Sequence, residues 1–509
     1  MLAHRNFASP PRRARQTPRR SAGDTLRRIG FATLVALGAP TAALAAVATT
    51  GTLKDGTAFR IDYPDQFNGT LLVGLDYASG NPNSAQNQAL LARGYALAGT
   101  TRFVTGGWNT AGAIQNQVEV VDKFKAIHGK PARAVQFGSS AGGHVGAATV
   151  QARPDVFAGA VLMCGGLSGT VGQWQAKLDA VYVAKMLIAP NDPRLPVINI
   201  PDDFATNARP AWLQTLANAQ QTPEGRARIA LAAVLGQLPT WSNPAKPKPA
   251  EWDLAALQDG LYDSLAGGPL PTIGQAMSSR NEIETRSGGN ISSNVGIDYA
   301  DLLERVRGSE IVRQLYRQAN LDLDDDLQTL ARSPRYKADP KALVWAEPGI
   351  FTGKLKVPVL TVNNIGDNIS TTASQSAFQD AVDRAGASNM LRQLYVESAG
   401  HCGFSAAETV AAVETLQQRL LTKKWDDADN PHKLNALARS LNLGAARFIS
   451  YTPDYFARPF TECHLNQAKK QAKLPEPAKP GPKGPPPHAH DHGPQPPHGP
   501  DPHAPHDHC

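Results

Sequence analysis

Long apolar runs are scarce in this chain of 509 residues. The one run, Ile29 to Leu44, is too short to cross a bilayer and ends in Ala43-Leu44-Ala45, the small-residue pattern of a signal-peptidase site. No later segment is long and apolar enough to span, which excludes a helical membrane protein. An excess of charge is equally scarce once that leader is set aside. Residues 1–45 hold eight arginines and one acid, Asp24, which accounts for the whole net charge of +7. The rest keeps 43 of the 51 Lys+Arg and 43 of the 44 Asp+Glu, so it is neutral, and nothing in it points to a nucleic-acid partner. Residues 1–45 read as an export signal peptide. Arg27-Arg28 before the apolar core, with Phe31 after it, fits the twin-arginine route, and the Sec route is the alternative. The expected location is the periplasm or the medium.

What is present is a pentapeptide, Gly138-Ser139-Ser140-Ala141-Gly142, matching G-x-S-x-G. The pattern alone is weak; its context carries the inference. Ala134-Val135-Gln136-Phe137 before it is β-prone, and the small residues Gly143 to Val150 after it can enter a helix. Strand, sharp turn and helix make a nucleophile elbow, with Ser140 at its apex.

A serine hydroxyl needs a base, and the base needs an orienting carboxylate. Most histidines can be eliminated. Seven of the thirteen lie in the last 22 residues, and His4 is in the leader. His144, one turn past Ser140, should point away from the hydroxyl. His128 sits at a helix end before Gly129, and His432 and His464 lie in late polar segments. His401 remains, between the apolar run Leu391 to Val396 and Ser405-Ala406-Ala407-Glu408, a capping box that opens a long helix. For the carboxylate, Val357 to Val362 reads as a buried strand, and Asp367 follows it, 34 residues before His401. Asp383 and Glu397 are the alternatives. The chain order Ser140, Asp367, His401 is that of the α/β-hydrolases rather than of chymotrypsin or subtilisin.

On the motifs GSSAGG, MCGG, VPVLTVNNIGDN and SAGHCGFSAAE, the chain resembles secreted bacterial α/β-hydrolases of the serine esterase type over roughly residues 50 to 460. The His401-Cys402 pair is also similar to that of tannases and feruloyl esterases, in which a cysteine beside the serine is bonded to one beside the histidine. Ser139 occupies that place here, so that particular bridge is absent. The resemblance implies an α/β fold: a doubly wound, mostly parallel sheet with a large, mainly helical cap.

Two features bear on the site. One oxyanion donor should be the amide of Ala141; the other should come from the loop after Gly69 to Gly74, at Tyr77 or its neighbour Ala78. Asp76 in that loop should turn outward, because a carboxylate facing a developing oxyanion would oppose catalysis. Four cysteines allow three full pairings. Cys164 ends the strand next to the elbow strand, and the loop bearing His401 must cross that edge to reach Ser140. This favours Cys164 with Cys402, with Cys463 as rival partner and Cys509 left free.

The expected organisation is a core over 46–167 and 353–466, split by a helical cap over 168–352, with a Pro/His-rich disordered tail over 467–509. The cap holds Trp174, Trp212, Trp241, Trp252 and Trp345, which read either as an aromatic substrate pocket or as the cap's own core. The tail's histidines read either as part of a solvated segment or as an adventitious divalent-metal arm. The leading expectation is a secreted serine esterase with a small-molecule or polymeric ester substrate and no cofactor or active-site metal. The alternatives are an amidase or peptidase, a polyester depolymerase, or a non-catalytic binding protein with a metal-binding tail.

Overall fold

A computed structural model describes residues 47–102 and 108–473. Nine strands form one sheet: β1 (Val47–Thr52), β2 (Ala58–Tyr63), β3 (Thr70–Leu75), β4 (Ala96–Thr100), β5 (Arg133–Ser139), β6 (Gly159–Met163), β7 (Val359–Gly366), β8 (Leu391–Ala399) and β9 (Phe448–Ile449). Their order is β1-β2-β4-β3-β5-β6-β7-β8-β9. From β4 to β8 every pair is parallel, while β1, β2 and β9 add antiparallel edges. Central strands covered on both faces should read as continuous apolar runs rather than alternations. Gly159-Ala-Val-Leu-Met163 does so, and every residue of β3, β4 and β6 is buried.

Helices cover both faces. In chain order the first three are α1 (Ala85–Ala92), α2 (Thr110–His128) and α3 (Ala141–Ala152). Nine follow between β6 and β7: α4 (Gly169–Ile188), α5 (Ala208–Ala219), α6 (Pro223–Leu235), α7 (Leu254–Tyr262), α8 (Thr272–Ser287), α9 (Tyr299–Arg305), α10 (Ser309–Gln318), α11 (Leu323–Arg332) and α12 (Pro340–Trp345). The last four are α13 (Ala373–Arg384), α14 (Ala406–Thr422), α15 (Pro431–Leu441) and α16 (Glu462–Ala472). One face of the sheet packs against Phe124 of α2, Ala147 of α3 and Phe378 of α13. The other packs against Leu90 of α1, Val410 and Leu416 of α14 and Leu434 of α15. The strand order, the covering helices and the strand-to-helix turn at Ser140 define the α/β-hydrolase fold.

The helices between β6 and β7 have their own core, built on α4, which is buried on nearly every face. Trp174 and Trp212 are fully buried in that core, which answers the aromatic question for those two. Trp345 packs at its edge, Trp241 is half-buried, and Trp252 is 86% exposed.

The boundary expected at residue 467 falls inside a helix. Residues 462–472 form α16, with Leu465 and Ala468 buried and Lys469 paired with Glu347 at 2.6 Å. The Lys/Gln/Ala composition that looked like the start of a tail is also that of a good helix former; the prolines begin only at Pro475. The leader, the His-rich segment from 474 and Cys509 lie outside the described residues. Among the described residues no helix is long and apolar enough to cross a membrane.

Candidate active site

Ser140 stands between β5 and α3 with φ 57° and ψ −121°, a conformation that costs a non-glycine residue about 1–3 kcal/mol. Its amide donates to the Met163 carbonyl at 2.9 Å, and its carbonyl accepts from the His144 amide at 3.1 Å. The turn depends on missing side chains. A Cβ on Gly138 would lie 2.7 Å from the Gly142 carbonyl carbon, and one on Gly143 would lie 2.9 Å from the Met163 oxygen. Ser139 is the exposed last residue of β5, so the apex is Ser140.

Asp367 follows β7 and is fully buried; His401 lies in the turn between β8 and α14 with its side chain 14% exposed. His401 Nδ1 is 2.8 Å from Asp367 Oδ2 and 3.0 Å from Oδ1, and Nε2 is 2.7 Å from Ser140 Oγ. The carboxylate also accepts from the amides of Ile369 (2.8 Å), Ser370 (2.9 Å) and Cys402 (3.3 Å). An ionised carboxylate accepts only, so its imidazole neighbour must donate from Nδ1. This leaves Nε2 as the acceptor that faces the serine hydroxyl.

Three features hold the histidine loop. A disulfide joins Cys164, just after β6, to Cys402; Cys463 is therefore not the partner of Cys402. Asn364 on β7 donates to the carbonyls of Gly400 (2.7 Å) and Ser398 (3.2 Å). Ser405 and Glu408 form the capping box at the start of α14, and Arg447 bridges Glu408 to the Gly403 carbonyl.

The rival groups are engaged elsewhere. Asp383 accepts from Gln379 and Ser388, and Glu397 pairs with Lys248 at 2.7 Å. His144 turns away from Ser140 to meet the Gly166 carbonyl (3.1 Å) and Thr170 Oγ1 (3.2 Å), and its burial pushes its pKa down to about 4. His128 stacks on Tyr63 at 4.2 Å. His432 and His464 lie in the first turns of α15 and α16.

The loop after β3 carries Asp76 at φ 69°, paired with Arg102 at 3.1 Å, followed by a 3-10 turn over Tyr77–Ser79. The Tyr77 phenol donates to Asp62, which Arg60 also binds, so its side chain leans toward β2. The backbone of Tyr77 follows β3 and that of Ala141 follows β5; these strands are neighbours.

The helices and loops between β6 and β7 also reach the loop that carries Asp367. Asn368 donates to the carbonyls of Ser264 and Leu270, both at 2.9 Å, and its own carbonyl accepts from Thr272 at 3.1 Å. The Trp241 carbonyl packs so close to Gly366 that a Cβ there would meet it at 2.1 Å. Lys177 of α4 donates to the Ile369 carbonyl at 3.0 Å. Sequence reasoning missed Asn364, Asn368 and Lys177. Adjacent asparagines inside the apolar strand Val359 to Ile365 were the available signal.

Among the described residues, one group of metal-ligand types lies close together: Cys164, Cys402 and Asp367. Two of these are joined as the disulfide, and the third is fully hydrogen-bonded.

The chain is 35% identical over 432 residues to the o-phthalyl amidase of Xanthobacter agilis, covering 79% of this chain and 93% of that enzyme. It belongs to that amidase's family. It is therefore a hydrolase of the α/β-hydrolase fold. No protein-family profile matches the chain. Among solved structures it is similar to feruloyl esterase B from Aspergillus oryzae, with 13% identity, TM-score 0.34, and 74% of this chain against 80% of that one. It is also similar to the esterase LipA from Xanthomonas oryzae, with 12% identity, TM-score 0.30, and 74% against 89%.

Proposed function

We propose that this hydrolase is a serine enzyme that cleaves carboxylic esters, and amides by the same route, through an acyl-enzyme on Ser140. The observation that carries the reading is the line of hydrogen bonds from Asp367 through His401 to Ser140 Oγ, at 2.8 and 2.7 Å. His401 takes the hydroxyl proton as Oγ attacks the carbonyl carbon. Asp367 holds the imidazole in the required tautomer and stabilises its protonated form. The amides of Ala141 and Tyr77 receive the developing oxyanion. His401 then protonates the departing alcohol or amine, and water activated by the same imidazole releases the acid.

The amide reading is favoured by the family relationship, since the relative is an o-phthalyl amidase. Ester and amide differ in how much the leaving group needs that proton, so one site can serve both. We further propose an exported enzyme with a leader over 1–45, a core over 46–167 and from 353 onward, and a cap over 168–352. The disulfide is consistent with an oxidising compartment.

The test pairs a fluorophosphonate probe with a panel of p-nitrophenyl and aryl esters, matching anilides and o-phthalyl amides. Ser140→Ala should lose both labelling and turnover while remaining folded, and Ser139→Ala should keep most of both. A dead Ser139→Ala beside an active Ser140→Ala would overturn the assignment of the nucleophile.

A further inference from the structure

Lys177 is 5% exposed, yet it belongs to neither the proposed chemistry nor a salt bridge. It lies on α4, the first helix of the cap, with its ammonium on the Ile369 carbonyl at 3.0 Å. That peptide is also wired to the site. The Ile369 and Ser370 amides both donate to Asp367 Oδ1, so the segment Lys177 holds is the one that fixes the carboxylate. One helical turn earlier, Trp174 places its ring 5.0 Å from the ammonium, and Arg280 of α8 lies 5.4 Å from the same ring. A cavity of about 20 Å³ adjoins the lysine, bordered by Ser168, Gln173 and Ser370, and Ser168 Oγ and Gln173 Oε1 have no protein partner.

We propose that Lys177 is a positioning residue for the acyl transfer: from the cap it clamps the acid loop and sets a buried cation beside Asp367. The inference rests on Asp367 and His401 acting as acid and base. The charged groups that face the ammonium are Asp367 from the acid loop and Arg280 from α8, the latter paired with Glu284 at 3.6 Å. Burial, and then Arg280, lower the lysine's pKa to about 7, against the pull of Asp367. A protonated Lys177 favours the ionised carboxylate and opposes proton uptake by the imidazole bonded to it. The cap is thus part of the catalytic framework as well as a cover.

The experiment uses the full chain, with Ser140→Ala as reference. Retained turnover in Ser140→Ala would sink the serine reading itself, whatever Lys177 does. With that reference dead, Lys177→Met should lower kcat by about 10- to 100-fold with KM within a few-fold, the scale of misplacing a reacting group slightly. The acid limb of its kcat/KM profile should move up by about half a pH unit, because a cation near the Asp367–His401 pair is gone. Its Tm at pH 6 should match or exceed that of wild type, since a desolvated charge has been removed. Lys177→Arg, which keeps the cation, should return the limb toward wild type. An unmoved acid limb, or a kcat loss that only tracks a fall in Tm, overturns the proposal. If Lys177→Met does not fold, Lys177→Gln is read by the same criteria. Failure of both to fold would also overturn it, as the role would then be stability alone.

Discussion

Cys164 and Cys402 tie the end of β6 to the residue after His401, across 238 positions of sequence. The Cys402 amide donates to the same Asp367 oxygen that lies 2.8 Å from His401 Nδ1. The covalent link and the Asp367–His401 hydrogen bond therefore share one short piece of backbone. A link that closes so long a loop contributes on the order of 2–4 kcal/mol of stability.

The Cys164→Ser/Cys402→Ser double variant should accordingly lose stability by about that amount. Its kcat should fall more than its affinity for substrate, because the base loop loses its tether. Asn364 still holds Gly400 and Ser398, so activity should drop rather than vanish. Chemical denaturation and initial rates measure the two effects. A double variant with wild-type kcat would show that Asn364 and the capping box suffice.

Asp367→Asn should reduce kcat by about four orders of magnitude by spoiling the imidazole tautomer, as in serine triads generally. Asp383→Asn and Glu397→Gln should leave it nearly unchanged, because Asp383 serves Gln379 and Ser388, and Glu397 serves Lys248. Rates for the three variants on one ester and one amide decide the matter. A near-normal Asp367→Asn would remove Asp367 from the acid role.

Much of this arrangement was legible in the sequence because its signals are local. The elbow declares itself by glycines that leave no room for a Cβ, the strands by short apolar runs, and the His401 loop by the capping box at Ser405 and Glu408. The place where two loops had to meet favoured Cys164 with Cys402 over the rival Cys463, and that is the bond formed. What stayed hidden depends on contacts between distant segments. Lys177 sits on a helix with no clear polar face and meets Ile369 across 192 residues. Asn368 anchors to Ser264 across 104 residues and to Leu270 across 98. Periodicity read the segment between β6 and β7 as helical, but nothing local told that its helices would hold the loop around Asp367. The tail boundary was misplaced because composition describes residues 467–472 poorly: their burial is supplied by α12, far back in the chain.

His144 couples the site to acid stability. Burial lowers its pKa from the usual value of 6.5 to about 4, so the folded protein keeps it neutral while the unfolded chain protonates it. Between about pH 6.5 and 4 the unfolded state binds the extra proton, and stability falls as pH falls. The contribution is fully present above pH 6.5 and is lost toward pH 4. His144→Gln should flatten the fall in Tm across that window relative to wild type, whatever its effect at pH 7.5. Parallel Tm profiles for the two proteins would refute this.

The tail and the end of α16 should separate cleanly under truncation. Residues 474–509 are rich in proline and histidine and low in apolar side chains. Ordering any stretch costs about 1–2 kcal/mol per residue of backbone entropy, and this composition offers few apolar side chains to set against that cost. Removal of everything after Lys473 should therefore keep hydrolysis within a few-fold of wild type while abolishing most retention on immobilised nickel. Truncation after Asn466 should behave differently. It deletes Ala468 from its contact and Lys469 from its pair with Glu347, and it leaves α16 too short to sustain itself. That shorter chain should melt earlier, with the loss traced to the α12–α16 contact. Hydrolysis by the full chain should also survive a chelator, because the proposed route runs through Ser140, His401 and Asp367 alone. Loss of activity with chelator, or on truncation after Lys473, would make the histidine-rich segment part of the site and refute the serine-only route.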